Sequence, residues 1–270
     1  MKRILLSAAL LSITSLSFAM QMQLHEPSER TRKYVEQALK AFEIPLASVT
    51  VYGFTPPGSE TLLGIASSEE GYIALNENTK SELGVQYVSF HETAHIKDEI
   101  HKKIDSHAKY LTATSVLGYF ALSVKAFGNL QKTIQPRFLK PLSYVANGIF
   151  GFYCLGNWIH SNISVPWAHE QAEYRADKMA IEKLLSINEI SPILMQLYSK
   201  KEAKKRLGNQ RVYGHPPADL EYKAMKKTIQ NHGYEVKKYR PTDAPNDLKI
   251  KISKNGKHAS LKASNFYLKV

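Results

Sequence analysis

The stretch His91-Glu92-Thr93-Ala94-His95 constrains this chain more than any other, because it sets two imidazoles and a carboxylate at a spacing that only a helix can use for one ion. On a helix, positions four apart differ in direction by about 40° and lie one turn apart, so both rings reach the same point. Glu92 projects beside them, where it can take a proton from a metal-activated water rather than bind metal. A fold that uses this motif must be helical here. It must also bring a further ligand from elsewhere in the chain.

Two stretches compete to supply that ligand. His101 stands ten residues after His91, a spacing that serves one class of metalloprotease when a glycine midway breaks the helix; here that place is Asp98. Without a break, ten residues carry His101 about 15 Å along the axis and roughly 80° off the ligand face. Ile96, Ile100 and Ile104 continue a helical stripe, so the helix is expected to run from Lys80 to about Asp105, leaving His101 out of reach. The other stretch is HEQAEYRADKMA, residues 169–180. Glu173 and Asp177 are again four apart on an expected helix. Glu173 would complete a two-histidine, one-glutamate site with a fourth position open for water, which is a catalytic zinc arrangement. Asp177, one turn on, can accept the second ring N–H of a ligand histidine and fix its tautomer. Glu170, on the same side as Glu173, and His169 are the rival ligands on this helix. The cofactor expected is one Zn2+ per chain.

Around these motifs the 270 residues are expected to form an α+β chain, mainly α. Residues 28–42 carry Tyr34, Val35, Ala38, Leu39 and Phe42 at helical spacing. Residues 48–54, 61–67 and 71–76 are rich in strand formers between Pro-Pro-Gly and Glu-Glu-Gly breaks, and suggest a small antiparallel sheet whose edge could align a peptide. Helices are expected at 166–185, 191–207 and 217–231. The basic tail alternates about Asn255-Gly256, the pattern of a type I′ β-hairpin.

Two apolar stretches, 110–128 and 142–161, each approach the length needed to cross hydrocarbon. Residues 1–19 have a Lys2-Arg3 start, an apolar run, and Ser17 and Ala19 placed as at a cleavage site, so they read as an export signal. The loop between the apolar stretches holds Lys125, Lys132, Arg137 and Lys140 and no acid, which sets it on the cytoplasmic side. Together these signals predict an exported chain held in the inner membrane by a transmembrane hairpin, its site facing the periplasm. The domain layout expected is 1–19 signal peptide, 20–109 first half of the metal-binding domain, 110–161 hairpin, 162–235 second half and 236–270 basic extension.

The formal charge of +12 accompanies no nucleic-acid fingerprint, so membrane lipid, rather than nucleic acid, is the expected anionic partner. The one cysteine, Cys154, excludes an intrachain disulfide. Neither composition nor spacing bears on oligomeric state.

His-Glu-x-x-His, an apolar hairpin and then Glu-x-x-Ala-Asp in EYRAD resemble the HtpX and CAAX-prenyl-protease type of membrane zinc metallopeptidase, over roughly residues 30–225. The resemblance implies a zincin-like catalytic domain and an endopeptidase acting on membrane-associated or periplasmic proteins, misfolded ones included. His215-Pro216-Pro217 is similar to the family's downstream His-Pro-Pro, which implies that His215 lies at the cleft and helps stabilise the oxyanion. The chain departs from the family where Glu221 stands near the place of a common arginine, and in carrying one signal-like segment where bacterial members carry two spans before the catalytic helix. The alternative reading is a non-catalytic, membrane-tethered zinc protein or chaperone-like adaptor, against which Glu92 argues, since a structural zinc has no use for a base.

Overall fold

The computed structural model describes residues 24–56, 62–99, 103, 106–118, 154–207, 215–239, 249–255 and 257–261. The signal-like segment 1–19, His101 and most of the apolar stretches lie outside these residues. The described residues divide into two compact units, one formed by those up to Glu99, 174–207 and from Pro216 onward, the other by 103–173 and His215.

In the first unit, helix α1 (Glu29–Ala41) begins where the Ser28 hydroxyl accepts from the Thr31 amide, with Glu29 in its first turn and Lys40 in its last, each favourable to the helix dipole. Its buried stripe is Thr31, Val35, Ala38 and Leu39. Val35 and Leu39 pack with Ile73, Leu75, Val85 and Val88, between sheet and helix.

The sheet holds β1 (Leu24–His25), β2 (Thr50–Phe54), β3 (Gly64–Ser67) and β4 (Tyr72–Asn76) in the order β1-β2-β4-β3. It is mixed, not antiparallel as the sequence suggests. β3 and β4 pair antiparallel, with Ile65 opposite Ala74, because the turn that joins them is tight and Gly71 takes φ +67°. The longer connection after β2 carries the chain past β4, so β2 lies along β4's other side in the same direction, with Val51 opposite Ile73.

Helix α2 (Glu82–Lys97) is capped by Ser81, whose hydroxyl accepts from the Gly84 amide. It stops earlier than expected. Asp98 caps it, Glu99 turns to φ +46°, and Arg175 Nε holds the Asp98 carboxylate at 3.1 Å. The unbroken helix that would have carried His101 away is therefore not formed.

Helices α3 (Val165–Ser186), α4 (Ile190–Leu207) and α5 (Ala218–Asn231) complete the main core. Tyr87, Phe90 and Ala94 of α2 meet Ala176, Ala180, Ile181 and Leu184 of α3, with Ile193, Leu194 and Leu197 of α4 and Met225 and Ile229 of α5. The small Ala176 and Ala180, one turn apart, keep that side of α3 narrow.

The C-terminal hairpin is part of a larger sheet. Strands β5 (Glu235–Tyr239), β6 (Lys249–Lys254) and β7 (Lys257–Leu261) pair antiparallel in that order. Lys254 opposite Lys257 leaves a two-residue turn, and Asn255 adopts the φ of +48° that its first position needs. Ile250 and Ile252 alternate into the core, and the Ile250 amide donates to the Tyr198 hydroxyl at 2.7 Å.

In the second unit, residues 106–118 and 154–159 are helical, and a π-turn, His160–Ser164, leads into α3. The Thr112 hydroxyl lies 3.0 Å from Ser164 Oγ and 3.1 Å from His160 Nδ1. Among the described residues no helix is long and apolar enough to cross a membrane. This overturns the expected transmembrane hairpin and the inner-membrane placement built on it. The physical reason is visible in the residues: Thr112, Thr114, Asn157, His160 and Asn162 interrupt the apolar runs, and several bond to one another or to the backbone.

Candidate metal centre

The site is built on two helices that carry chemistry at four-residue spacing. On α2 the ladder is Tyr87, His91, His95. On α3 it is Glu173, Asp177.

His91, His95 and Glu173 each offer a ligand atom, and these atoms all lie within 4.8 Å of one another. His95 is buried and the other two are half-buried. The two Nε2 atoms are 3.0 Å apart, and the rings meet edge to face with centroids at 4.7 Å. Two imidazole nitrogens bound tetrahedrally at about 2.0–2.1 Å from one zinc stand roughly 3.3 Å apart, so the rings already sit close to a ligand spacing. Of the rivals, neither Glu170 nor His169 belongs to the group.

Asp177 sets the direction of His91. Its Oδ1 accepts from His91 Nδ1 at 2.9 Å and from the Tyr87 hydroxyl at 2.9 Å. A proton held on Nδ1 leaves Nε2 as the lone-pair nitrogen, which is the tautomer a metal requires. Asp177 is 3 % exposed, and two donors on one oxygen offset the desolvation of its charge.

Glu173 has its own partner. His215 Nδ1 lies 3.0 Å from Glu173 Oε2, immediately before the buried Pro216-Pro217 that leads into α5. The geometry thus sets His215 against the carboxylate of the third candidate ligand. Glu221, where the family resemblance leads one to expect an arginine, is buried and bonds Lys200 Nζ of α4 at 2.6 Å. The acid on α5 and the base on α4 form a charge pair inside the first unit.

Glu92 is 7 % exposed and faces β3, where a Cβ built on Gly64 would stand 2.7 Å from its Oε1. The motif's carboxylate is therefore held between α2 and the sheet.

Three residues that sequence reasoning passed over belong to this centre or its frame. Tyr87 extends the histidine ladder by one turn toward the N-terminus, a spacing that could have flagged it. Arg175, between the two acids of α3, ties down the end of α2, and nothing in its local sequence announces that. Gly64 sits inside a strand, where glycine often marks a close approach. No protein-family model matches this chain, and no curated protein and no solved structure matches it.

Proposed function

We propose that this chain is a zinc-dependent endopeptidase, with His91, His95 and Glu173 holding the metal and Glu92 acting as the base. The observation that carries the reading is the convergence of three ligand atoms from two helices, with Asp177 fixing one imidazole and an acid, Glu92, adjacent in sequence. Two imidazoles and a carboxylate suit zinc and leave a coordination position for water. The bound ion would polarise that water and the scissile carbonyl.

The chain's own residues do the rest. Glu92 takes a proton from the attacking water and delivers it to the leaving amine. Asp177 keeps His91 in the ligating tautomer. His215 orients Glu173 and helps stabilise the oxyanion as the peptide carbonyl becomes tetrahedral.

The test is Glu92→Gln, which keeps the size of the side chain and removes the base. Cleavage of a denatured protein should fall to background while bound zinc, counted by elemental analysis, stays near one ion per chain. Full activity in this variant sinks the assignment. Retained zinc with no activity in the unaltered chain would favour a binding role.

A further inference from the structure

We infer that Gly64, on β3, is a positioning residue for the Glu92 carboxylate, an inference that rests on the peptidase reading above. Gly64 needs no unusual backbone angle to explain it, since it is an ordinary strand residue paired with Leu75. What it lacks is a side chain, and the space is already filled. A Cβ at this position would lie 2.7 Å from Glu92 Oε1, 2.7 Å from Val88 Cγ1 and 2.8 Å from Glu92 Cγ. Real contacts to a methyl carbon are not that short.

Val88 and Glu92 are four apart, so the strand backbone presses on one face of α2, at the turn that carries the base. Val88 is β-branched on a helix and has one strongly favoured rotamer, so it does not move aside easily. Glu92 is met at Cγ as well as at its oxygen, which means that rotating the carboxylate alone does not relieve the overlap. Adding one carbon at residue 64 must therefore turn the Glu92 side chain or push β3 away from α2. The bare glycine backbone is the wall against which the acid is set, and it also excludes water from that side of the carboxylate.

The atoms nearest to that Cβ belong to Val88 and Glu92, not to the candidate ligands, so the substitution separates the two functions. In Gly64→Ala, zinc content and KM stay near those of the unaltered chain, while kcat falls by about 10²-fold, the size expected when a reacting group is misplaced by about an ångström. The pH profile of kcat/KM shifts with the altered surroundings of the base. Shortening the neighbour in Gly64→Ala/Val88→Ala restores part of kcat. Unchanged kcat in Gly64→Ala overturns the inference, as does a loss of activity that tracks loss of zinc. If the unaltered chain cleaves no protein, the peptidase reading fails by itself, and the juxtaposition is then tested by melting. Gly64→Ala should lower Tm in the unaltered chain and markedly less in the Glu92→Ala background; equal losses in both overturn the inference.

Discussion

Helices α1 and α2 lie against the same sheet and solve opposite problems. α1 buries four of its thirteen residues, in one stripe, and the rest are half-buried or exposed. α2 buries ten of its sixteen, and five of those are polar: Gln86, Ser89, Glu92, Thr93 and His95. Ser89 and Thr93 return their hydroxyls to carbonyls one turn earlier, and Gln86 reaches Gln37. Glu92 and His95 belong to the His-Glu-x-x-His motif of the candidate centre. A helix tolerates that much buried polarity only where partners are supplied, since an unsatisfied buried polar group costs about 1–3 kcal/mol. The contrast teaches that burial of polar side chains, more than any apolar stripe, marks where this chain carries its candidate site.

The largest effects should separate the two helices cleanly. Glu173→Gln should abolish stoichiometric zinc binding and turnover together, measured by elemental analysis and a protease assay, while leaving α1 and the fold intact by circular dichroism. On α1 the reverse is expected: Leu39→Ala, fully buried, should cost about 2–5 kcal/mol in a urea titration with zinc stoichiometry unchanged in the folded protein. If Leu39→Ala lost zinc before it lost structure, the division between framework and site would be wrong.

A finer test removes one hydroxyl. Tyr87→Phe removes one donor to Asp177 Oδ1 and keeps that of His91, and zinc affinity should weaken by about 10- to 100-fold without loss of fold, read by competition with a chelator. An unchanged affinity would reduce Tyr87 to a packing residue.

Smaller effects belong to the N-terminus of α1. Ser28→Ala removes both its cap and its hydroxyl's bond to Glu77, keeps the amide's, and should destabilise by about 1 kcal/mol. Glu77 gives this end a pH dependence. Burial pushes its carboxyl up, but the Ser28 hydroxyl and amide, Thr31 and Arg30 together outweigh that and hold it below the ordinary carboxylate range. A carboxylate so depressed adds stability above its unfolded pKa and loses it as pH falls through the folded value. The urea midpoint of the unaltered chain should accordingly exceed that of Glu77→Gln near neutral pH and converge on it in acid. A gap that persisted in acid would show that packing, not charge, is at work.

Much of this was legible beforehand. Amphipathic spacing marks α1, Asn255-Gly256 marks the last hairpin, and the four-residue spacings of His91 with His95 and of Glu173 with Asp177 name the four residues whose side chains the fold gathers. Local rules suffice there because each signal lies within one or two turns. The end of α2 was misjudged because its isoleucine stripe continues, whereas the stop depends on Asp98 being held by Arg175, 77 positions away. The parallel pairing of β2 with β4 escaped for a similar reason, since strand formers announce strands but not the path between them.

The amino-acid order alone therefore determined which side chains could share an ion, for helical periodicity is a property of the local backbone. Only the tertiary structure decided that Glu173 meets the two histidines, that Tyr87 shares Asp177 with His91, and that a bare glycine backs Glu92. Those are contacts between segments far apart in the chain, selected by how whole helices and strands pack, and no short stretch of sequence contains that information.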